Sequence, residues 1–227
     1  MLSARAIGDL SKAVKWAEAE QKQLPFSLSQ ALNKTSFEVR EGLNKGTIGA
    51  FNRPVKFTQK AFLVKKSTKK NLKTSTYAID AKGKDRARYL RFGIAGGTRP
   101  QKGFEKYFEK AIPNDGTIPT GSYFAPGPHV KINAAGNITR ATLKRISKGI
   151  NAGNFFIGTP RNNNFPPGIY RRRHEALEPY FIATTNKPNY SPRFPIEKIG
   201  DKIVERRFML HASKFLKKNV DDQLRGL

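Results

Sequence analysis

Gly121-Ser-Tyr-Phe-Ala-Pro-Gly127, Asn133-Ala-Ala-Gly-Asn-Ile-Thr139, Asn154-Phe-Phe-Ile-Gly158 and Phe165-Pro-Pro-Gly-Ile-Tyr-Arg171 follow one another within residues 121–173. Aromatic and β-branched residues favour a pleated, half-buried surface, whereas Gly, Pro and Asn supply the backbone angles that turns require. Their alternation at short intervals reads as strand, turn, helix start, strand, strand. Thr139 opens the helix, with Leu143, Ile146 and Ile150 on its inner face, and strands are predicted over 154–159, 168–172 and 177–184. Along the 168–172 strand, alternation sends Ile169 and Arg171 to one face and Tyr170 and Arg172 to the other.

Upstream, the period changes. Ala6, Ile7, Leu10, Ala13, Val14 and Ala17 recur at helical spacing and predict one inward stripe over residues 3–22. Pro25 removes a donor and interrupts that helix. Ser27 is then a plausible N-cap for a second one, carried by Leu28, Ala31, Leu32, Thr35, Val39 and Leu43 and ending among Gly42, Gly46 and Gly49. Two strands at 57–64 and 72–79, joined through Ser67-Thr-Lys-Lys70, form a lysine-rich hairpin. A short helix over 84–92, with Tyr89 and Leu90 inward, stops at Gly93-Ile-Ala-Gly-Gly97. That glycine run follows a helix and does not open one, so it reads as a turn and not as a phosphate loop. Phe104, Tyr107, Phe108 and Ala111 mark a further amphipathic helix ended by Pro113.

Residues 114–128 read as irregular apart from 123–125, and 186–195, with three prolines, as a linker. A terminal helix then runs from Ile196, with Ile199, Ile203, Val204, Phe208, Ala212, Phe215 and Leu216 inward. The fold class is α+β: a long kinked N-terminal helix and a C-terminal helix packed on a small antiparallel sheet, with a β-rich inserted region. The organisation is one domain over 1–227, divided as 1–113 (helices plus β-hairpin), 114–195 (Gly/Pro-rich αβ insertion) and 196–227 (terminal helix).

Composition narrows the function. The chain has 227 residues, with 43 Lys and Arg against 17 Asp and Glu, a formal net charge of +26. Such a chain repels itself unless a polyanion or acidic partners compensate it, and nucleic acid is the obvious polyanion. No apolar run is long enough to span a bilayer, and no signal-peptide core follows Met1. With no cysteine, disulfides, thiol catalysis and cysteine zinc sites are excluded. The histidines His129, His174 and His211 have no metal-ligand spacing. Asp80 and Asp85, and Asp221 and Asp222, belong to no catalytic motif, so no cofactor, metal or active site is expected. The candidate contacts with an anionic partner are Lys56, Lys60, Lys65, Lys66, Lys69, Lys70 and Lys73 around the hairpin, and Arg171, Arg172 and Arg173. The lysines equally suit a hairpin edge protected from aggregation, and the arginines a solvent-facing strand end.

The order of these segments resembles the minor tail protein Z family of tailed phages, the tail-completion or neck proteins. That family carries a Gly-x-Tyr-x-x-Pro-Gly segment, an Ala-x-Gly-Asn-x-(Ser/Thr)-Arg segment opening a helix, a (Tyr/Phe)-Phe-(Ile/Val)-Gly strand and a Pro-Pro-Gly-Ile-(Tyr/Trp)-Arg strand. Further landmarks are Ala31-Leu-Asn-Lys-Thr35, Asn52-Arg-Pro54, Thr58, Thr68-Lys-Lys-Asn-Leu72, the segment from Tyr89 to Pro100, and Pro192-Arg-Phe-Pro195. The chain departs from the pattern in its excess of lysine and over residues 105–120. The resemblance implies a structural, non-enzymatic virion protein at the head–tail junction, made in the host cytoplasm. It would form a ring, six-fold by analogy, between the head-closure or connector protein and the tail terminator or tail tube, around the DNA channel and away from any membrane. The alternative is a free basic nucleic-acid-binding protein. A nuclease is disfavoured by the missing acid and histidine constellation.

Overall fold

A computed structural model describes residues 4–79, 87–111, 118–161, 165–174 and 176–225, with side chains from Ser11 and, in the second segment, from Leu90. The fold is α+β, and the chain divides into two compact units, Met1–Ile94 with Arg193–Leu227, and Ala95–Pro192. The insertion expected from residue 114 thus begins at residue 95.

Unit 1 is built on two long helices, α1 (Ala4–Ala50) and α6 (Ile196–Arg225). They run antiparallel: Ile199 packs at Gly46, Ile203 at Gly42, Arg207 reaches Glu38, Asn219 reaches Ser27 and Gln223 meets Gln23. Pro25 lies inside α1 and does not end it. Proline removes one intrahelical bond, and here the turns on both sides are held by α6. Ser27 is accordingly not an N-cap; its hydroxyl, 1% exposed, donates to the Gln23 carbonyl at 2.9 Å.

Gly42 and Gly46 do not stop the helix either. They let α6 approach closely: a Cβ on Gly42 would lie 2.4 Å from Ile203 Cδ1, and one on Gly46 3.0 Å from both Ile199 and Phe194. The inward stripe expected at Ala13, Val14 and Ala17 is exposed, Val14 at 55%. The Gln23–Gln223 bond lies near the end of the seam with α6, and Ala13, Val14 and Ala17 lie beyond it. Val204 of α6, also expected inward, is 44% exposed.

Residues Lys56–Gln59 form a short helix, α2, where a strand was expected. The hairpin strands are shorter than predicted: β1 (Phe62–Lys65) pairs antiparallel with β2 (Ser75–Ala78), leaving 66–74 as the connection. Helix α3 (Ala87–Ile94) ends at the predicted glycine turn, with Leu90 fully buried; residues 84–86 of that predicted helix and the Tyr89 side chain lie outside the described part. Val39, Leu43, Ala61, Phe62, Leu90 and Phe194 form the core of this unit.

Unit 2 has a four-stranded antiparallel sheet in the order β4 (Tyr123–Pro126), β7 (Ala176–Thr184), β6 (Gly168–Arg173), β5 (Phe155–Gly158). A second, two-residue pairing joins β3 (Gly97–Thr98) to β8 (Asn189–Tyr190), so the segment expected as a plain linker contributes a strand. Two helices complete the unit, α4 (Gly103–Ala111) and α5 (Arg140–Asn151). A register shift at Ile169/Tyr170 leaves Tyr180 without a partner on β6. A bulge of this kind breaks strict alternation, and both Tyr180 and Phe181 join one core with Phe108, Phe124, Ile146 and Phe155. On α4, Phe108 is 1% exposed as expected, but Tyr107 is 40% exposed. Its hydroxyl accepts from Ser147 on α5. Pro113 lies outside the described residues.

Candidate functional site

The ten candidate cations are all exposed, and they fall into different units: the seven lysines in unit 1, the three arginines in unit 2. The lysine-rich connection is pinned to α1 by one asparagine. Asn33 Oδ1 accepts from the Ser67 amide at 2.7 Å, and Asn33 Nδ2 donates to the Ser67 carbonyl at 3.1 Å. The buried Ser67 hydroxyl donates to the Ser29 carbonyl at 3.1 Å. Mutual backbone bonds between Thr68 and Asn71 then close the tip. Lys66, Lys69, Lys70 and Lys73 therefore lie on a fixed loop, with Lys65 at the end of β1.

Two of these lysines already have ring partners. Lys66 Nζ lies 5.5 Å from the Phe37 centroid, which Arg40 also approaches at 4.9 Å, and Lys69 Nζ lies 4.7 Å from that of Phe26. A cation over an aromatic face is held by the ring quadrupole without losing its charge. Across the outer face of the hairpin, Leu63 and Tyr77 are cross-strand partners and are 40% and 47% exposed.

In unit 2 the arginines continue β6 past its buried half. Arg171 pairs across to Phe155 on β5 and to Glu178 on β7. Arg173 Nη1 lies 3.7 Å from Glu178 Oε1. By alternation Arg172 shares the opposite face with Tyr170, whose ring stacks on Phe156 at 5.4 Å and whose hydroxyl donates to the Pro166 carbonyl. Burial pushes the Tyr170 phenol above its usual pKa.

The 133–139 segment builds the entry to α5. Asn133 Oδ1 accepts from the Ala135 and Asn137 amides at 3.1 and 2.9 Å, while Gly136 takes φ +75, a conformation that favours glycine. Thr139 caps the helix: its hydroxyl accepts from the Thr142 amide at 3.1 Å. Thr142, Ile146 and Gly149 face inward, and an added Cβ at Gly149 would lie 2.5 Å from the Phe155 ring. The opposite face carries Arg140, Lys144, Arg145 and Lys148, all exposed. These four residues are not among the ten candidates, and one signal in the sequence marks them: between Asp115 and Glu175 the chain has nine Lys and Arg and no Asp or Glu.

Among the described residues of unit 2 the most deeply buried charge is Glu105, fully buried in α4. Arg99 Nη1 and Nη2 each donate to its carboxylate at 2.7 Å, and the Lys102 and Phe124 amides donate to it as well. The Lys102 bond is half of a capping box at the start of α4. Burial alone would raise the Glu105 pKa; the Arg99 hydrogen bonds, the two amides and the guanidinium charge outweigh it and hold the carboxyl below its ordinary value. The same hydrogen bonds raise the Arg99 pKa. Arg99 also stacks its guanidinium 5.2 Å from the Tyr123 ring. This pair ties α4 to β4 and leaves the carboxylate no free lone pair for catalysis.

The histidines stay separate. His129 stacks on Tyr180 at 6.3 Å, and His174 sits after β6 at φ +53. His211 on α6 meets Glu38 Oε1 at 3.0 Å, with Arg207 at 3.3 Å from the other oxygen. Those contacts occupy Glu38 at the edge of an open groove of about 600 Å³ along the α1–α6 seam. Among the described residues no group of three or more His, Asp or Glu is placed to hold a metal ion, and no helix is long and apolar enough to cross a membrane. Comparison with protein-family models, curated proteins and solved structures returns no match to this chain.

Proposed function

We propose that this chain is a structural, non-enzymatic protein of the head–tail junction of a tailed phage, assembling as a ring between the head connector and the tail and surrounding the DNA channel. One observation carries the reading. The segments that resemble the tail-completion family fall on β4, the Asn133 turn leading into α5, β5 and β6, three strands of one sheet, with β7 between β4 and β6, and the helix that packs on it. A resemblance spread over mutually packed elements is harder to obtain by coincidence than isolated short matches. The charge suits the place: a subunit of +26 needs phosphates or acidic ring neighbours around it. The lysine loop and the β6 arginines are proposed to face such partners, with the head-closure and tail-terminator or tail-tube rings as the protein neighbours.

Electron microscopy of a lysate lacking the protein tests this. The expected result is filled heads beside polymerised, unjoined tails. Empty heads would move the role to packaging, and normal infectious particles would remove it. The absence of enzymatic activity is tested by incubation with supercoiled plasmid and Mg²⁺ or Mn²⁺, where no nicking is expected. A second reading, a free nucleic-acid-binding protein, is favoured by the exposed Tyr77 beside the lysine loop, since exposed aromatics among cations suit base stacking. Preference for single-stranded over duplex DNA, lost on Tyr77→Ala, would select it.

A further inference from the structure

The geometry points to the outer face of α5 as a binding surface for the sugar–phosphate backbone of duplex nucleic acid. The inference needs only unit 2 and holds whether or not the chain belongs to a phage neck.

The first support is charge placement. Arg140, Lys144 and Lys148 recur every four residues, and Arg145 flanks them, on the face opposite the buried Thr142, Ile146 and Gly149. From Arg140 to Lys148 the stripe runs about 12 Å at 1.5 Å per residue. Like charges four apart repel along a helix, and a cation in the first turn opposes the helix dipole. Arg140 is in that first turn, and no acidic residue occurs anywhere in the helix. A merely solvated face has no need of this arrangement. On α6 the cations are interleaved with Glu197, Asp201, Glu205, Asp221 and Asp222.

The second support is that neighbouring carboxylates are engaged elsewhere. Glu105 is held by Arg99, Glu109 accepts from Gln101 and from the Gly121 amide, and Glu178 pairs with Arg173. Among the described residues no carboxylate forms an ion pair with any of the four α5 cations. Arg171 lies apart from this face: its cross-strand partner Phe155 packs at Gly149, on the buried side of α5.

The third support selects the partner. Protein–protein interfaces centre on apolar and aromatic anchors and are depleted of lysine. The outer face of α5 exposes no large apolar residue. A duplex presents a uniform anionic rod, one charge per about 1.7 Å of axis, which basic side chains and backbone complementarity can hold without apolar anchors.

The test compares two variants of the whole chain with equal charge loss. One carries Arg140→Gln, Lys144→Gln, Arg145→Gln and Lys148→Gln; the other carries Lys65→Gln, Lys69→Gln, Lys70→Gln and Lys73→Gln. Binding to a mixed-sequence duplex is measured over a salt series. Each neutralised phosphate contributes about 0.9 to the slope of log K against log salt. The α5 variant should therefore lose about 3 to 4 from the slope, and the loop variant about one or less. Equal losses, or an unchanged slope in the α5 variant, overturn the proposal. So does loss of polyglutamate binding with duplex binding retained, since that result assigns the face to acidic protein. Should the α5 variant misfold, amine acylation of the unaltered protein decides: Lys144 and Lys148 should be shielded by duplex, and unchanged reactivity at both overturns the assignment.

Discussion

The two units close their interiors by different means. Unit 2 packs aromatic rings: Phe108 lies between 5.1 and 6.0 Å from the centroids of Phe104, Tyr107, Phe124 and Phe181. Its fully buried carboxylate Glu105 is satisfied by a two-pronged arginine. Helix α1 of unit 1 instead buries small and polar residues, Ala19, Ala31, Ser27, Thr35 and Thr47 among them, with Ser29 and Ser36 bonded to Ser67 and Thr74 of the hairpin and Ser27 facing α6 across the seam. Side-chain bonds such as Asn219 to Ser27 and Gln30, and Gln23 to Gln223, then fix the register of the seam. Large rings concentrate stabilisation in few residues, whereas a seam of small residues spreads it over many weak contacts. Single substitutions should therefore be felt more in unit 2 than along the seam.

The largest expected effect is Glu105→Gln. Removing one partner of a buried pair strands the other charge and typically costs about 3–5 kcal/mol. Denaturant unfolding measures it, and a loss below that of any seam substitution would break the comparison. The pH dependence follows from the sign of the shift. Because the folded pKa is depressed, the stability this carboxylate contributes is fully present above its unfolded pKa of about 4.3 and is lost as pH falls through the lower folded value. The unaltered protein should lose stability in that acid window, and the Gln variant should show a flatter acid limb.

Phe108→Ala comes next, at about 3–5 kcal/mol for a fully buried phenylalanine; thermal unfolding checks it. Asn219→Ala removes two donated bonds from the seam, each worth about 0.5–1.5 kcal/mol, and should cost about 1–2 kcal/mol in the same assay. A loss equal to that of Phe108→Ala would show that the seam is not distributed. Thr139→Ala removes the α5 cap and should cost about 1 kcal/mol, read as loss of helical ellipticity and midpoint. The smallest effect on stability belongs to Lys69→Glu with Lys70→Glu, within about 0.5 kcal/mol because both are exposed. If the lysine loop faces an anionic partner in the particle, that same double reversal lowers phage yield.

Helical and strand periods were legible wherever the element had a partner to bury against. The 121–173 stretch folds as its punctuation predicts, because each turn is set locally: Asn133 bonds its own neighbours, Gly136 supplies positive φ, and Thr139 caps α5. The basic residues were legible as composition. Their grouping was not, because the reading followed lysine density in the loop and passed over a helix whose four cations are spaced along its length.

Sequence by itself determined the α+β class, the elements with strong local signals and the excess of positive charge. Those follow from backbone preference, side-chain periodicity and counting, none of which needs a distant contact. Tertiary structure decided that Pro25 leaves α1 whole, that Gly42 and Gly46 are contact points and not helix stops, and that Asn189 and Tyr190 pair with Gly97 and Thr98. It also decided that Val14 has nothing to cover it within the seam while Phe155 does. The physical reason is the same in each case. A proline, a glycine or an apolar stripe fixes only what a segment can do, and the free energy that chooses among those options comes from the element packed against it.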